Sequence, residues 1–184
     1  TNISGANAST YVLAQSEVGS TITVTASYTD GQGTAESATS AATGVVANVN
    51  DAPALAITGT ATEDQTLTAN LTDADVLPAA NAITWKWMRT SGGQTADIGG
   101  ATAATYVLTQ ADVGSTITVN AQYTDVQTTA ENVTSAATAA VANVNDAPVL
   151  TIAGVATEDQ TLTANLADDD VLPAANAITW QWKR

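Results

Sequence analysis

The chain has 184 residues, 18 acidic and four basic side chains, no histidine and no cysteine, and a formal net charge of -14. That balance excludes a phosphate-gripping nucleic-acid binder and an anionic-membrane binder, because both need Lys and Arg. It also leaves no Ser–His or Cys–His pair for nucleophilic catalysis and no disulfide for stability.

Excess carboxylate keeps a long array soluble or waits for a cation. No apolar run reaches the roughly 20 residues that a membrane-spanning helix needs, which argues against membrane insertion. Thr and Ala dominate, with β-type alternation rather than the Pro/Glu/Lys-rich profile of disorder.

A fixed repeat organises the chain. Asn48-Val49-Asn50-Asp51-Ala52-Pro53 returns as Asn143-Val144-Asn145-Asp146-Ala147-Pro148, and Trp85-Lys86-Trp87 returns as Trp180-Gln181-Trp182. Residues 1–50 match 96–145 at 34 of 50 positions and 51–89 match 146–184 at 31 of 39, at an offset of 95 with no gap. Only Thr90 to Thr95 have no second copy. A period this long makes each copy a domain. The expected organisation is the C-terminal half of a first repeat at 1–50, a complete repeat at 51–145 and the N-terminal half of a third at 146–184. The two halves belong either to a longer chain or to neighbouring molecules that complete one another.

The complete copy predicts short strands in chain order. Leu55 and Ile57 share a face before Gly59 breaks the run. Leu67, Ala69 and Leu71 alternate through Gln65–Leu71. Ile83, Trp85 and Trp87 share a face in Ala82–Arg89, and Ser91-Gly92-Gly93 is a turn. Tyr106 and Leu108 form one short strand. Gln110 to Gly114 makes a single turn, and Thr116–Thr124 carries Ile117, Val119, Ala121 and Tyr123 inward. Val133 to Val144 closes the copy. The fold class is therefore all-β: tandem immunoglobulin-like β-sandwiches of about seven strands with a 95-residue repeat, for which the motifs below add a cadherin-like resemblance. Alternation places Trp85 and Trp87, on the face shared with Ile83, in the core. A carbohydrate-binding module would need them exposed.

Acidic residues gather near the predicted strand ends. They lie at Asn50-Asp51 in the junction, at Asp73-Ala74-Asp75 and at Asp125. They recur at Asn145-Asp146 and Asp168-Asp169-Asp170. Asp and Asn are also ordinary turn residues, so turn formation alone could place them there. Paired carboxylates serve glycoside hydrolysis too, but acids at equivalent positions in every copy fit a structural role better than catalysis.

The NVNDAP linker, Asp73-Ala74-Asp75 and Asn81-Ala82-Ile83-Thr84-Trp85 resemble the junction, DAD turn and following strand of cadherins and bacterial cadherin-like repeats. The linker is one residue shorter than the cadherin form, and Thr109-Gln110-Ala111-Asp112 stands where cadherins carry DRE. The resemblance implies calcium as cofactor. It implies Asn48, Asn50, Asp51, Asp73, Asp75 and Asp125 as ligands at the first junction, with Glu17 from the preceding half. At the second it implies Asn143, Asn145, Asp146, Asp168 and Asp170, with Asp112 and Glu63.

Over all 184 residues the chain also resembles the near-identical repeats of giant secreted bacterial adhesins that end in a calcium-binding RTX region. That resemblance implies an extracellular or cell-surface extender whose partners are adjacent copies of the repeat, head to tail, with any glycan or cell-surface ligand held by other domains. A second reading is a subunit that polymerises head to tail by strand complementation of its half domains. A third is a carbohydrate-binding module.

Overall fold

A computed structural model describes residues 1–184. The strands are β1 (Thr25–Thr29), β2 (Ala35–Thr39), β3 (Ala54–Thr58), β4 (Thr66–Thr72), β5 (Thr84–Ser91), β6 (Gln94–Asp97), β7 (Thr105–Val107), β8 (Thr116–Thr124), β9 (Ala130–Thr134), β10 (Val149–Ala153) and β11 (Thr163–Ala167). The remaining regular structure is four three-residue 3-10 turns. The protein is all-β, and no helix is long and apolar enough to cross a membrane.

The chain divides into two compact units. One comprises Thr1–Ala54, Thr72–Ile83 and Gln122–Asn132. The other comprises Leu55–Leu71, Thr84–Ala121 and Val133–Arg184.

Four sheets form. Their strand orders are β1-β2, β3-β4-β7, β6-β5-β8-β9 and β10-β11. β4 and β7 run antiparallel with Leu67 opposite Tyr106. β5 and β6 form an antiparallel hairpin with Ser91 opposite Gln94. Its two-residue loop, Gly92-Gly93, has φ values of 56° and 80°. Two successive left-handed residues match the right-handed twist of a hairpin, and glycine supplies them without a Cβ clash.

Alternation fixes what is buried. Leu67, Trp87, Leu108, Ile117 and Val119 are fully buried, and Ala69 and Trp85 nearly so. On β8 the buried residues fall at every second position, so one face is core and the other carries Thr and Asn.

The last segment departs from the predicted strand. Regular pairing stops at Thr134, and residues 135–141 follow β8 in steps of three against two. The amides of Ser135, Thr138 and Val141 donate to the carbonyls of Val119, Ile117 and Ser115. Three residues cover a span that needs two on β8, so every second carbonyl acceptor of a regular ladder is missing. Hydroxyls replace them: Val119 N–H donates to Ser135 Oγ at 3.1 Å and Ile117 N–H to Thr138 Oγ1 at 3.0 Å. The arrangement recurs 95 residues earlier, where Val24 N–H donates to Ser40 Oγ and Ile22 N–H to Thr43 Oγ1. The abundance of Ser and Thr therefore has a backbone role, since a buried N–H without an acceptor is costly.

Equivalent positions of the sequence repeat meet different surroundings. Trp87 is fully buried, whereas its counterpart Trp182 is 49% exposed. Leu108 is buried, whereas Leu13 is 49% exposed.

Candidate functional site: the acidic loops of the repeat junctions

One motif occurs twice. At the first junction Asp51 N–H donates to Asp75 Oδ2 at 2.6 Å, and Asp75 N–H donates to Asp73 Oδ1 at 2.9 Å. At the second, Asp146 N–H donates to Asp170 Oδ2 at 2.9 Å and Asp170 N–H to Asp168 Oδ1 at 3.1 Å. The inner bond of each set is an Asx turn, in which a carboxylate accepts from the amide two residues on. The outer bond clips the linker to that turn. A linker of fixed sequence thus receives a fixed anchor in each copy.

Around the first motif, Tyr123 O–H donates to Asp73 Oδ2 in a short hydrogen bond. Burial, the Asp73 hydrogen bond and the charges of Asp73, Glu131 and Asp125 push the Tyr123 hydroxyl far above its ordinary pKa. Asn50 Nδ2 donates to Glu131 Oε1 at 2.9 Å. Val126 N–H donates to the Val76 carbonyl at 3.2 Å, which ties the Asp75 loop to the Asp125 loop. Asp125 Oδ1 accepts from Thr129 N–H at 2.7 Å.

Two oxygens in these loops have no donor. Asp75 is fully buried and Asp125 is 5% exposed, yet Asp75 Oδ1 and Asp125 Oδ2 lack any hydrogen-bond partner. Val76, next to Asp75, has φ of 65°. A β-branched residue there is strained, and such strain collects at functional loops. The Asn48 side-chain oxygen is likewise unpartnered.

The second junction is an acidic cluster of a different balance. Asn143 Nδ2 donates to Asp170 Oδ1 at 2.8 Å. That bond and the Asp146 amide hold the Asp170 carboxyl below its usual range. Asp146 moves the other way: burial first, then the charges of Asp64, Asp169, Asp170 and Asp168, push its pKa up. Asn145 Nδ2 turns to the Asp146 carbonyl. Hydrogen-bond complementarity places the Gln110 amide nitrogen 2.8 Å from both Glu63 carboxylate oxygens and 3.1 Å from Asn143 Oδ1. Glu63 is 2% exposed and also accepts from Val144 N–H at 3.3 Å.

Asp112 and Glu17 occupy another setting. Asp112 is fully buried and accepts from Arg89 Nε at 2.7 Å, Tyr106 O–H at 2.8 Å, Thr109 N–H at 2.9 Å and Thr109 Oγ1 at 3.0 Å. Burial alone would raise its pKa, but these donors together hold it below the usual range. Glu17 accepts from Tyr11 O–H at 3.0 Å, Ala14 N–H at 2.8 Å and Ser16 Oγ at 2.6 Å. Both oxygens of each side chain are engaged by protein donors, which suits a loop-fastening role.

Nowhere do three or more acidic side chains already converge on one point at ligating distance. The loops supply separate oxygens on short, adjacent segments rather than a closed cage. Trp85 and Trp87 offer no stacking platform, and the Trp87 indole N–H is engaged by the Ala103 carbonyl at 2.9 Å. Glu131, Tyr123 and Gln110 recur 95 residues earlier as Glu36, Tyr28 and Gln15, but they lie on strands or in a turn outside the acidic loops, so residue type alone does not mark them as junction residues. Comparison with protein-family models and with curated proteins finds no match to this chain.

Proposed function

We propose that this chain is an extender segment of an extracellular bacterial adhesin or surface filament, built from tandem β-sandwich repeats of immunoglobulin-like or cadherin-like type and stiffened at its junctions by calcium. The all-β sheets and the 95-residue sequence period support the first part. The observation that carries the second is the pair of buried carboxylate oxygens, Asp75 Oδ1 and Asp125 Oδ2, that no protein donor meets. An ionised oxygen buried without a partner is costly, and a cation offsets that cost.

Calcium takes six to eight oxygens from carboxylates, carbonyls and amides. At the first junction Asp51, Asp73, Asp75 and Asp125 supply carboxylates, and Asn48 and Asn50 supply amide or carbonyl oxygens. At the second the candidates are Asn143, Asn145, Asp146, Asp168 and Asp170, with Glu63. Turning the Gln110 amide over would set its oxygen beside the Glu63 carboxylate and Asn143 Oδ1. A bound dication would also neutralise the repulsion that raises the Asp146 pKa.

Thermal unfolding of the purified chain in millimolar calcium and in chelator tests this reading, with Asp75→Asn as the comparison. One site at a hundredfold excess of calcium over Kd adds about 2.7 kcal/mol. The unfolding temperature should rise clearly for the parent chain and little for Asp75→Asn. An unfolding temperature indifferent to calcium in both would remove calcium from the proposal.

A further inference from the structure

The loop between β8 and β9, residues 125–129, holds an oxygen outside the acidic set. Gln127 is half-buried, but its side-chain Oε1 is sealed from solvent and meets no donor. We infer that this carbonyl is a further ligand of the cation at the first junction, beside Asp75 Oδ1 and Asp125 Oδ2, and that it favours calcium over magnesium there. This ligand role rests on the calcium reading and adds to it a residue that no acidic motif contains.

Local structure sets these three oxygens apart from the other polar atoms of the loops. Asp125 fastens its own loop. Its amide donates to the Thr129 carbonyl at 2.9 Å, its carbonyl accepts from Thr128 N–H at 3.2 Å and its Oδ1 accepts from Thr129 N–H at 2.7 Å. Only its Oδ2 remains. Asp75 is similar: Oδ2 accepts from the Asp51 amide of the linker, and Oδ1 remains. Gln127 lies two residues past Asp125 on the same loop. The Val126 amide donates to the Val76 carbonyl at 3.2 Å, so the two loops are joined at the neighbours of Gln127 and Asp75.

Backbone strain falls at the same two places. Val76 follows Asp75 with φ of 65°, and Thr128 follows Gln127 with φ of 75°. Both are β-branched, and a left-handed backbone disfavours such side chains. Strain of this kind collects at ligand clamps. Here it comes directly after a donorless oxygen in each of two joined loops.

Charge accounts for an amide rather than an acid at position 127. Asp75 and Asp125 already balance a dication, and the charges of Asp73 and Glu131 act on the neighbouring Tyr123. A further carboxylate would add repulsion, whereas a neutral carbonyl adds coordination without charge. Calcium takes six to eight oxygens in flexible geometry. Magnesium keeps several of its waters and binds through one or two carboxylates. The amide oxygen therefore serves the larger ion, and magnesium holds a water in its place.

The test follows the Val126 and Thr129 amides of the full chain by NMR during separate titrations with calcium chloride and magnesium chloride. The parent is compared with Gln127→Met and Gln127→Glu. These amides report the first junction, whatever binds at the second. In the parent, calcium should shift them together with the Gln127 side-chain amide. Gln127→Met keeps the length and loses the oxygen. Its calcium midpoint should rise at least about tenfold, the loss that even an indirect partner of a metal ligand causes, while its magnesium midpoint stays in place. Gln127→Glu keeps an oxygen and should bind calcium no more weakly than the parent. In chelator, Gln127→Met should melt no lower than the parent, because it removes a buried oxygen that lacks a donor. That melt also shows the variant to be folded. An unchanged calcium midpoint in Gln127→Met, or a magnesium midpoint that rises as much, would overturn the inference and leave the calcium reading standing. So would weaker calcium binding by Gln127→Glu, or a lower melt of Gln127→Met in chelator, which would make Gln127 a structural residue of its loop. Parent amides that ignore calcium would overturn both.

Discussion

The ring of Trp87 on β5 lies 5.7 Å from that of Tyr106 on β7 at an interplanar angle of 34°, and so joins two sheets with one aromatic contact. The same tyrosine donates its hydroxyl to the buried Asp112, which also holds Arg89. Core packing and the half-buried ion pair thus meet at Tyr106, and removing either should loosen the other.

Trp87→Ala should cost about 3–5 kcal/mol, because it opens a large cavity and strips the Ala103 carbonyl of its donor. Trp182→Ala, at a half-exposed indole in a partial copy, should cost far less in dilute solution. Urea denaturation followed by circular dichroism distinguishes them. Equal losses would mean that the partial copy is already packed like the complete one.

The hydroxyl ladder predicts a chemical rather than a steric requirement at position 138. Thr138→Ser keeps the acceptor for the Ile117 amide and should change stability little. Thr138→Val keeps the shape but leaves that buried N–H unmet, for a loss of about 1–3 kcal/mol. Denaturant midpoints of the two variants decide it. A valine as stable as the serine would show that water meets the amide instead.

That ladder also marks where a sequence reading stops. Alternation delivers β8 as Thr116–Thr124 and buries Ile117, Val119, Ala121 and Tyr123 as expected. It delivers β4 to within a residue, and the turn at Gln110–Asp112. β5 begins two residues late because Ala80–Ala82 form a 3-10 turn. β6 is invisible to alternation because all four of its residues are exposed. Val133 to Val144 reads as a continuous strand, but regular pairing covers only Ala130–Thr134, since hydroxyl acceptors need no period of two. At the junctions, residue types point to Asp73, Asp75 and Asp125 through their repeated place at strand ends. Which of their oxygens lack donors depends on loop geometry that no pattern encodes.

Asp112 makes stability pH-dependent in a definite direction. Its folded pKa is held below the ordinary aspartate value, so the native state resists protonation more than the unfolded chain does. The stability it gives is complete above the unfolded pKa of about 4 and is lost as pH falls through the folded value. Asp112→Asn should therefore unfold more readily than the parent at pH 7, with the difference narrowing as pH drops below about 4. Melting temperatures of both chains between neutral and acid pH check this. A difference that stays constant across the range would mean that Asp112 acts through packing rather than charge.

Asp146 carries the opposite sign. Its folded pKa is raised by burial and by the four neighbouring aspartates, so the native state favours its protonated form. That preference stabilises the fold below the unfolded pKa and disappears as pH rises through the folded one, leaving only repulsion at pH 7. In chelator at neutral pH, Asp146→Asn should thus leave the second junction no less stable, and more resistant to amide exchange around Val144, than in the parent. In calcium the order should reverse, because the variant has lost a carboxylate ligand and the ion no longer needs to offset the charge. Hydrogen exchange in the two buffers reads both halves. The crossing of the two stabilities is the signature of a carboxylate held in place for a cation. A variant that is weaker in both buffers would instead make Asp146 an ordinary turn residue whose charge the fold already tolerates.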